Sequence, residues 1–574
     1  RGIDDRGDPD EMSYRQVLRS YLAALSARVR AYDQTGRFPV YIILLDEWFY
    51  QVRRGWLWLN LLEDPTRYEL RLPERFAAWQ DSIAAAQDSL RAAIAASRLL
   101  QAQKRRYGEA WLRNLIKVHV NITNPADPSF WSFGVVPLLP LPDNMMRDHR
   151  KIVFYDLTEE DPYRGEALFT GAGVGEHYAS LSWEDRSLLV RGPAVLGLKD
   201  AARNALLNQG MAEHEIPYPL QPRPRAPDYD TRIRRAVERR QQPVRALEIH
   251  NGTGFDTKQV NTAKAVLYTL MPPGSVIKIP DSLWNSAFWG AALFGCALRG
   301  VRVLIIAPSL KHNPVPVSGE FSRSQELLWQ LLAAQRLLAR EIAAAGGLLK
   351  VGIYAPEFEV TNIPAKVRSV QRTFAEHAWL RELFGFPPPV YEDLAELADA
   401  IAGLAMAPVP TPEFEFDPVP KLHLKANFFA SREAWGLMSR PEWGALTWEY
   451  VQQRIAQVQT RSAAVASFEE FPEAFIDVGG GMVQEWFDAL DPTSRERVVF
   501  YTLMGSQNQN YRSMVIDGEV AFVVSKWPSI IPYLDLISLV GQSRWLDDPA
   551  QLAPLLPPQS EWKRRFARWV KLAL

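Results

Sequence analysis

The chain has 574 residues, 47% of them apolar and 23% charged, with a formal net charge of −1. A chain of this length outgrows a single hydrophobic core, so two large domains plus insertions are expected. The balanced charge argues against a protein that grips nucleic acid mainly through phosphates, and a lone cysteine, Cys296, excludes an internal disulfide.

Residues 39–46, Pro-Val-Tyr-Ile-Ile-Leu-Leu-Asp, form an apolar run after Gly36 and read as a buried parallel strand. Residues 74–107 are Ala-rich with helical periodicity, ending in Lys and Arg, and predict a long helix or helix pair. Leu115–Ile122 reads as another strand. Residues 216–243 hold six prolines between Pro217 and Pro243, many Arg and little apolar content; they read as a linker between two halves.

The second half opens with a strand at Ala246–His250, and His250-Asn-Gly-Thr-Gly reads as a turn. Ser275–Ile279 is a strand, 283–298 a helix, and Gly300–Pro308 a buried strand, which together make one βαβ step. The apolar stretch 283–298 contains Asn285 and Ser286 and stops at Arg299, too short for a membrane span. Ser324–Ala345 is helical and closed by Gly346-Gly347; Leu349–Tyr354 is a further strand. Residues 405–420 are Pro-rich and read as a loop. Near the C-terminus Trp562, Phe566, Trp569 and Val570 fall on one helical face among Lys and Arg, which fits a docked helix or one lying on a membrane surface. The chain begins at Arg1 without Met, and an upstream segment is expected.

Two short runs carry the chemistry. Asp-His-Arg-Lys-Ile-Val-Phe-Tyr-Asp (148–156) contains His149, Lys151 and Asp156, and His423-Leu-Lys425 repeats the His-x-Lys spacing. Residues two apart on a strand share a face, so each run sets an imidazole beside a fixed positive charge. Two such faces across a cleft would bracket a phosphate, with one imidazole on each side of the phosphorus. A lone histidine is more often a satisfied core residue; the duplicated motif, followed each time by a glycine turn and a carboxylate, argues against that for this pair. His177 could line the cleft; His119, His214, His250, His312 and His377 read as structural. No His/Cys/Asp cluster has metal-ligand spacing.

These runs resemble the signatures of the phospholipase D superfamily. Leu-Phe-Thr-Gly-Ala-Gly (168–173), Trp183-Glu-Asp185 and Arg-Gly-Pro-Ala-Val (191–195) resemble the segments downstream of the first signature in lipid-acting members. Gly505-Ser506-Gln-Asn508 through Arg512-Ser513 to Glu519 resembles the block downstream of the second in cardiolipin synthase-like members. Two positions depart from the pattern: Ala430 stands where an Asp is usual, and Val174 where an Asn is usual. The resemblance implies an α/β fold of two phospholipase D-like halves, each a mixed β-sheet flanked by helices, related by a pseudo-two-fold axis. The halves would span 1–215, with a helical insertion at 74–107, and 244–574, joined by 216–243.

The resemblance also implies roles. His149 would be the nucleophile that becomes phosphohistidine, and His423 would protonate the leaving group and then activate water or an alcohol. Lys151, Lys425, Ser506 and Asn508 would hold phosphoryl oxygens. Asp185 would orient His423, and Glu519 would orient His149. No cofactor and no metal are implied. The expected partner is a phospholipid, with peripheral membrane contact open, no stable nucleic acid and no oligomeric state legible. Trp48, Phe49, Tyr50, Trp284 and Trp289 are candidates for an apolar cleft wall, and packing of sheet against helices is the alternative for them. A nuclease with the same chemistry and a non-catalytic binding protein on the same fold are the competing readings.

Overall fold

The computed structural model describes residues 14–36, 41–46, 88–108, 116–121, 149–155, 163, 165–171, 183–208, 212–216, 220–221, 227–239, 245–252, 258–312, 318–358, 363–384, 420–438, 440, 442, 485–515, 517–525, 536, 539–557, 560–562 and 564–565. Strands in chain order are β1 (Tyr41–Asp46), β2 (Ile116–Asn121), β3 (Ile152–Tyr155), β4 (Glu166–Thr170), β5 (Trp183–Glu184), β6 (Ser187–Arg191), β7 (Arg245–Asn251) and β8 (Val276–Pro280). They continue as β9 (Arg302–Pro308), β10 (Leu348–Tyr354), β11 (Lys421–Leu422), β12 (Ala426–Ala430), β13 (Phe500–Gly505), β14 (Glu519–Ser525) and β15 (Ser543–Leu546).

The main framework is an eight-stranded mixed sheet in the order β15-β10-β9-β8-β12-β13-β14-β7. Strands β8, β9 and β10 run parallel, while β12, β13, β14 and β7 continue antiparallel. Side chains alternate between the two faces, as a pleated strand requires. Ile277, Ile279, Val303, Ile305 and Phe429 enter one core with the helices Gln259–Leu270, Ala287–Leu298 and Ser318–Leu337. Val276, Leu304, Ile306, Phe428 and Ala430 enter the other with Phe374, Leu380 and Trp435. Both faces are covered, which explains why these strands read as continuous apolar runs. Ala430, in place of the expected Asp, is a buried core residue in β12.

A three-stranded antiparallel sheet, β3-β4-β6, carries the segment after His149, and β1 and β2 pair in parallel. Phe169 of β4 meets Phe522 of β14 edge to face, with ring centroids 4.2 Å apart, so this small sheet packs on the large one. Strand β5 joins β11 in parallel and ties residues 183–184 to the approach of His423.

Several expected boundaries move. The stretch expected as a helix from 283 begins at Ala287, capped by the Ser286 side chain accepting from Trp289 N, and 281–286 is a loop. Residues 318–337 form the helix expected from Ser324, followed by Ala339–Ala344 and Gly346 at φ 75°. His250 and Asn251 belong to strand β7 rather than a turn. Inside the expected linker, Tyr229–Arg239 is helical; Arg is a good helix former, and Asp228 pairs with Arg232 one turn on. Of the helix or helix pair expected over 74–107, residues 88–107 are described: 88–96 and Arg98–Tyr107 are helical, broken at Ser97, which caps the second stretch. Asp156, Val174, His177, Trp48, Phe49, Tyr50 and residues 566–570 lie outside the described residues.

Candidate functional site

One edge of the large sheet gathers the expected residues. Strand β12 starts just after His423 and Lys425; β13 ends at Gly505, before Ser506 and Asn508; β14 begins at Glu519. The antiparallel register sets Ala426 opposite Met504 and Gly505 opposite Ala521, so all three strand ends lie side by side. The C-terminal end of β8, followed by Asp281, meets the same edge.

Each histidine is held by a carboxylate from the other part of the chain. His423 Nδ1 lies 2.7 Å from Asp185 Oδ2. His149 Nδ1 lies 3.1 Å and 3.2 Å from the two Glu519 oxygens. The backbone repeats the exchange: His423 N donates to Glu184 O at 3.0 Å, and His149 N donates to Gly518 O at 2.9 Å. A carboxylate on Nδ1 favours the tautomer with the proton there and leaves Nε2 to face a substrate. Each lysine also folds toward its own histidine: Lys151 Nζ donates to His149 O at 2.8 Å, and Lys425 Nζ to His423 O at 2.6 Å.

Two glycines allow these approaches. A Cβ at Gly171 would run into the Asp185 carboxylate, and one at Gly505 would strike the backbone of β14 at Val520 and Ala521.

Burial shapes the electrostatics. His423 is 5% exposed, with Trp183 edge-on to its ring at 4.8 Å between centroids. Burial, then Lys425, draws its pKa down to about 4 against the pull of Asp185, so the ring is neutral near pH 7. Burial pushes Asp185 up, yet His423, Lys425 and the Arg186 N–H outweigh it and hold this carboxyl below its ordinary range. Burial lowers Lys425, opposed by Asp185, Asp281 and Glu519. Gly505 N donates to Lys425 O at 3.4 Å, and the next residue, Ser506, holds the carboxylate that braces His149, so both His-x-Lys pairs share one locality.

Ser506 and Asn508 lie at this edge with fixed roles. The Ser506 hydroxyl donates to Glu519 Oε2 and accepts from Val520 N at 3.1 Å, so it braces the carboxylate behind His149. Asn508 Oδ1 accepts from Ser282 Oγ at 2.8 Å. Arg512 and Asp517 form a buried pair at 2.9 Å beneath the turn that leads into Gly518 and Glu519.

The structure adds residues that the sequence pattern did not single out. Asp281 accepts from Leu283 N at 2.8 Å and from Gln509 N at 3.1 Å. Asn427 Oδ1 accepts from Tyr268 Oη at 2.6 Å and Gln509 Nε2 at 3.2 Å. The regular spacing of His423, Lys425 and Asn427, two apart, was the available signal for Asn427. Trp284 and Trp289 are not a cleft wall: both are wholly buried, Trp284 donating to Ile306 O and Trp289 packing on Tyr268. Apolar neighbours on the surrounding helices and strands pull them into the core. Among the described residues, His149, Asp517 and Glu519 lie close enough to share a metal ion. Asp517 is engaged by Arg512, and Glu519 by His149 and Ser506, so these donors are already committed.

No family model matches the chain, and no curated protein is similar to it. Among solved structures, it is similar to phosphatidylserine synthase from Haemophilus influenzae Rd KW20, with 11% identity and a TM-score of 0.37 over 74% of this chain and 71% of that one.

Proposed function

We propose that the chain is a phosphodiesterase of the phospholipase D type, which cleaves or exchanges the head group of a phospholipid through a phosphohistidine. The observation that carries the reading is the crosswise bracing of two His-x-Lys histidines, His423 by Asp185 and His149 by Glu519. That arrangement supplies a nucleophile, a proton carrier and two ammonium groups around one anion.

His149 Nε2 attacks phosphorus; the P–N bond forms while the P–O bond to the head group breaks. His423 gives its proton to the departing oxygen. His423 then takes a proton from water or an alcohol, whose oxygen attacks phosphorus and breaks the P–N bond. Burial and Lys425, whose Nζ lies 3.0 Å from Nε2, keep His423 neutral near pH 7. A bound phosphodiester would draw Lys425 to its own oxygens and raise the imidazole pKa, so the acid is charged when substrate arrives. Lys151 and the Asn508 amide would complete the phosphoryl contacts.

The same proposal covers architecture. Each part holds a parallel pair, β1-β2 and β8-β9, and a run of three antiparallel strands that begins just after a His-x-Lys pair, β3-β4-β6 and β12-β13-β14; β10 has no counterpart among the described strands of the first part. This supports two halves, 1–215 and 244–574, related by a pseudo-two-fold axis. Peripheral membrane contact belongs to the same reading, with Trp562 among the exposed aromatic residues that would meet the surface.

The test is incubation with a panel of phospholipids and, separately, single-stranded DNA. Release of head group and phosphatidic acid is expected. Nucleotide release with no head group from any lipid would replace the lipid enzyme with a nuclease, and no turnover of either would favour a binding protein.

A further inference from the structure

The loop that carries Asn508 is fixed by the loop that follows β8. Gln509 N donates to Asp281 Oδ2 at 3.1 Å, and Gln509 O accepts from Asn285 N at 3.1 Å and Ser286 N at 3.0 Å. Gln509 Nε2 donates to Asn427 Oδ1 at 3.2 Å, and Trp284 pairs with Gln509 as a parallel bridge. Asp281 Oδ1 accepts from Leu283 N at 2.8 Å, and Asp281 N donates to Ile306 O at 3.0 Å, which anchors this loop to β9. These bonds set the backbone beside Asn508 and leave its side chain to be held separately.

That hold comes from Ser282. Its Oγ donates to Asn508 Oδ1 at 2.8 Å, joining residues 226 apart in the chain. Ser282 is 2% exposed and Asn508 5%. Among the described residues, no other donor reaches Asn508 Oδ1 and no acceptor reaches its Nδ2. The two ends of an amide differ, since Oδ1 only accepts and Nδ2 only donates. Phosphoryl oxygens accept, so they take Nδ2 and turn Oδ1 inward. A buried oxygen turned away from the ligand is costly unless it has a donor of its own, and Ser282 supplies one.

We propose that Ser282 is a positioning residue: its hydroxyl satisfies Asn508 Oδ1 and so holds the amide with Nδ2 toward the phosphoryl group. This rests on the phosphodiester site proposed above. Ser282 acts only through Asn508, on a loop that Asp281 ties to Gln509.

The test is a double-variant cycle on the full chain, read as calorimetric binding of inorganic phosphate. Asn508→Ala should weaken phosphate affinity. Ser282→Ala leaves Oδ1 without its donor and should weaken affinity about 10-fold, the scale of one orphaned buried acceptor. In the Asn508→Ala background the same change should have no further effect, because the amide it serves is gone. A residue that merely supports the fold would lower affinity by the same factor in both backgrounds. Asn508→Asp keeps an acceptor for Ser282 but sets a carboxylate oxygen where Nδ2 was, so it should bind phosphate more weakly than Asn508→Ala.

A Ser282→Ala chain that binds like wild type, or equal losses in the two backgrounds, overturns this inference alone. So does a Ser282→Ala chain that fails to fold, since Ser282 is then a structural residue. Asn508→Asp or Asn508→Ala binding as tightly as wild type also overturns it, because no donor at Nδ2 is then in use. A wild-type chain that does not bind phosphate overturns the site reading and this inference with it.

Discussion

His423 Nδ1 lies 2.7 Å from Asp185 Oδ2, a partner 238 residues earlier in the chain. The contact fixes the ring's tautomer and the direction of Nε2, and it joins the small sheet to the large one through β5 and β11. Glu519 stands in the same relation to His149. In the proposed reaction these bonds orient the rings that attack phosphorus and move the proton, so they contribute to turnover more than to binding.

Asp185→Asn and Glu519→Gln should therefore reduce kcat by about 10²- to 10⁴-fold, the scale seen when an orienting carboxylate is neutralised, while KM changes little. Steady-state kinetics on a lipid with a releasable head group checks this. A rise in KM at constant kcat would instead assign these carboxylates to substrate binding.

His149→Ala should abolish turnover, since no P–N bond can form without its imidazole. Lys425→Met should raise KM and lower kcat together, because Lys425 would contact the phosphoryl oxygens in both ground and transition states. Full activity in either variant would remove that residue from the mechanism.

The depressed pKa of His423 makes a stability prediction. Its ordinary value is 6.5 and its folded value about 4. Between these the unfolded chain binds the extra proton, so this contribution is present above pH 6.5 and is lost as pH falls toward 4. The full loss is on the order of 3 kcal/mol. Asp281 works in the opposite direction: raised to about 7, it favours the folded chain at low pH and ceases to as pH rises through 7. The difference between wild type and His423→Asn isolates the histidine. Urea titrations at pH 7 and pH 5 should show wild type losing more stability than the variant over this interval.

The Arg512–Asp517 pair is 3% and 0% exposed at its side chains. Arg512→Met leaves an uncompensated buried carboxylate, which should cost about 3–5 kcal/mol. The damage should reach activity too, because Asp517 precedes Gly518, whose carbonyl holds His149 N. Denaturant unfolding and turnover on the same preparation check both effects. A variant with normal stability would mean that the fold does not depend on the Arg512–Asp517 pair.

The sequence makes the residues of the candidate site legible because they recur. His149, Lys151, His423 and Lys425 repeat a spacing, and Asp185 and Glu519 come at matching places after them. Their supporting residues are not repeated. Ser282 stands between a strand and an apolar run, where a serine reads as an ordinary loop residue. Asp281 follows a strand like any loop aspartate. What singles both out is burial, which depends on three-dimensional neighbours that no local pattern encodes. Trp284 and Trp289 show the converse: aromatic residues near a strand end fit a cleft wall or a core equally well, and only packing decides. The buried strands β8, β9 and β10 were legible because both of their faces are covered, whereas the helix Tyr229–Arg239 was hidden by six prolines in the segment around it.

The most direct test of the central claim is to trap the covalent intermediate. His423→Asn should slow its breakdown, so incubation with a short-chain phospholipid followed by rapid quenching and peptide mass spectrometry should find a lipid-derived phosphoryl adduct on His149. Wild-type turnover of the lipid with an adduct on another residue, or head-group release by His149→Ala at the wild-type rate, would contradict the account.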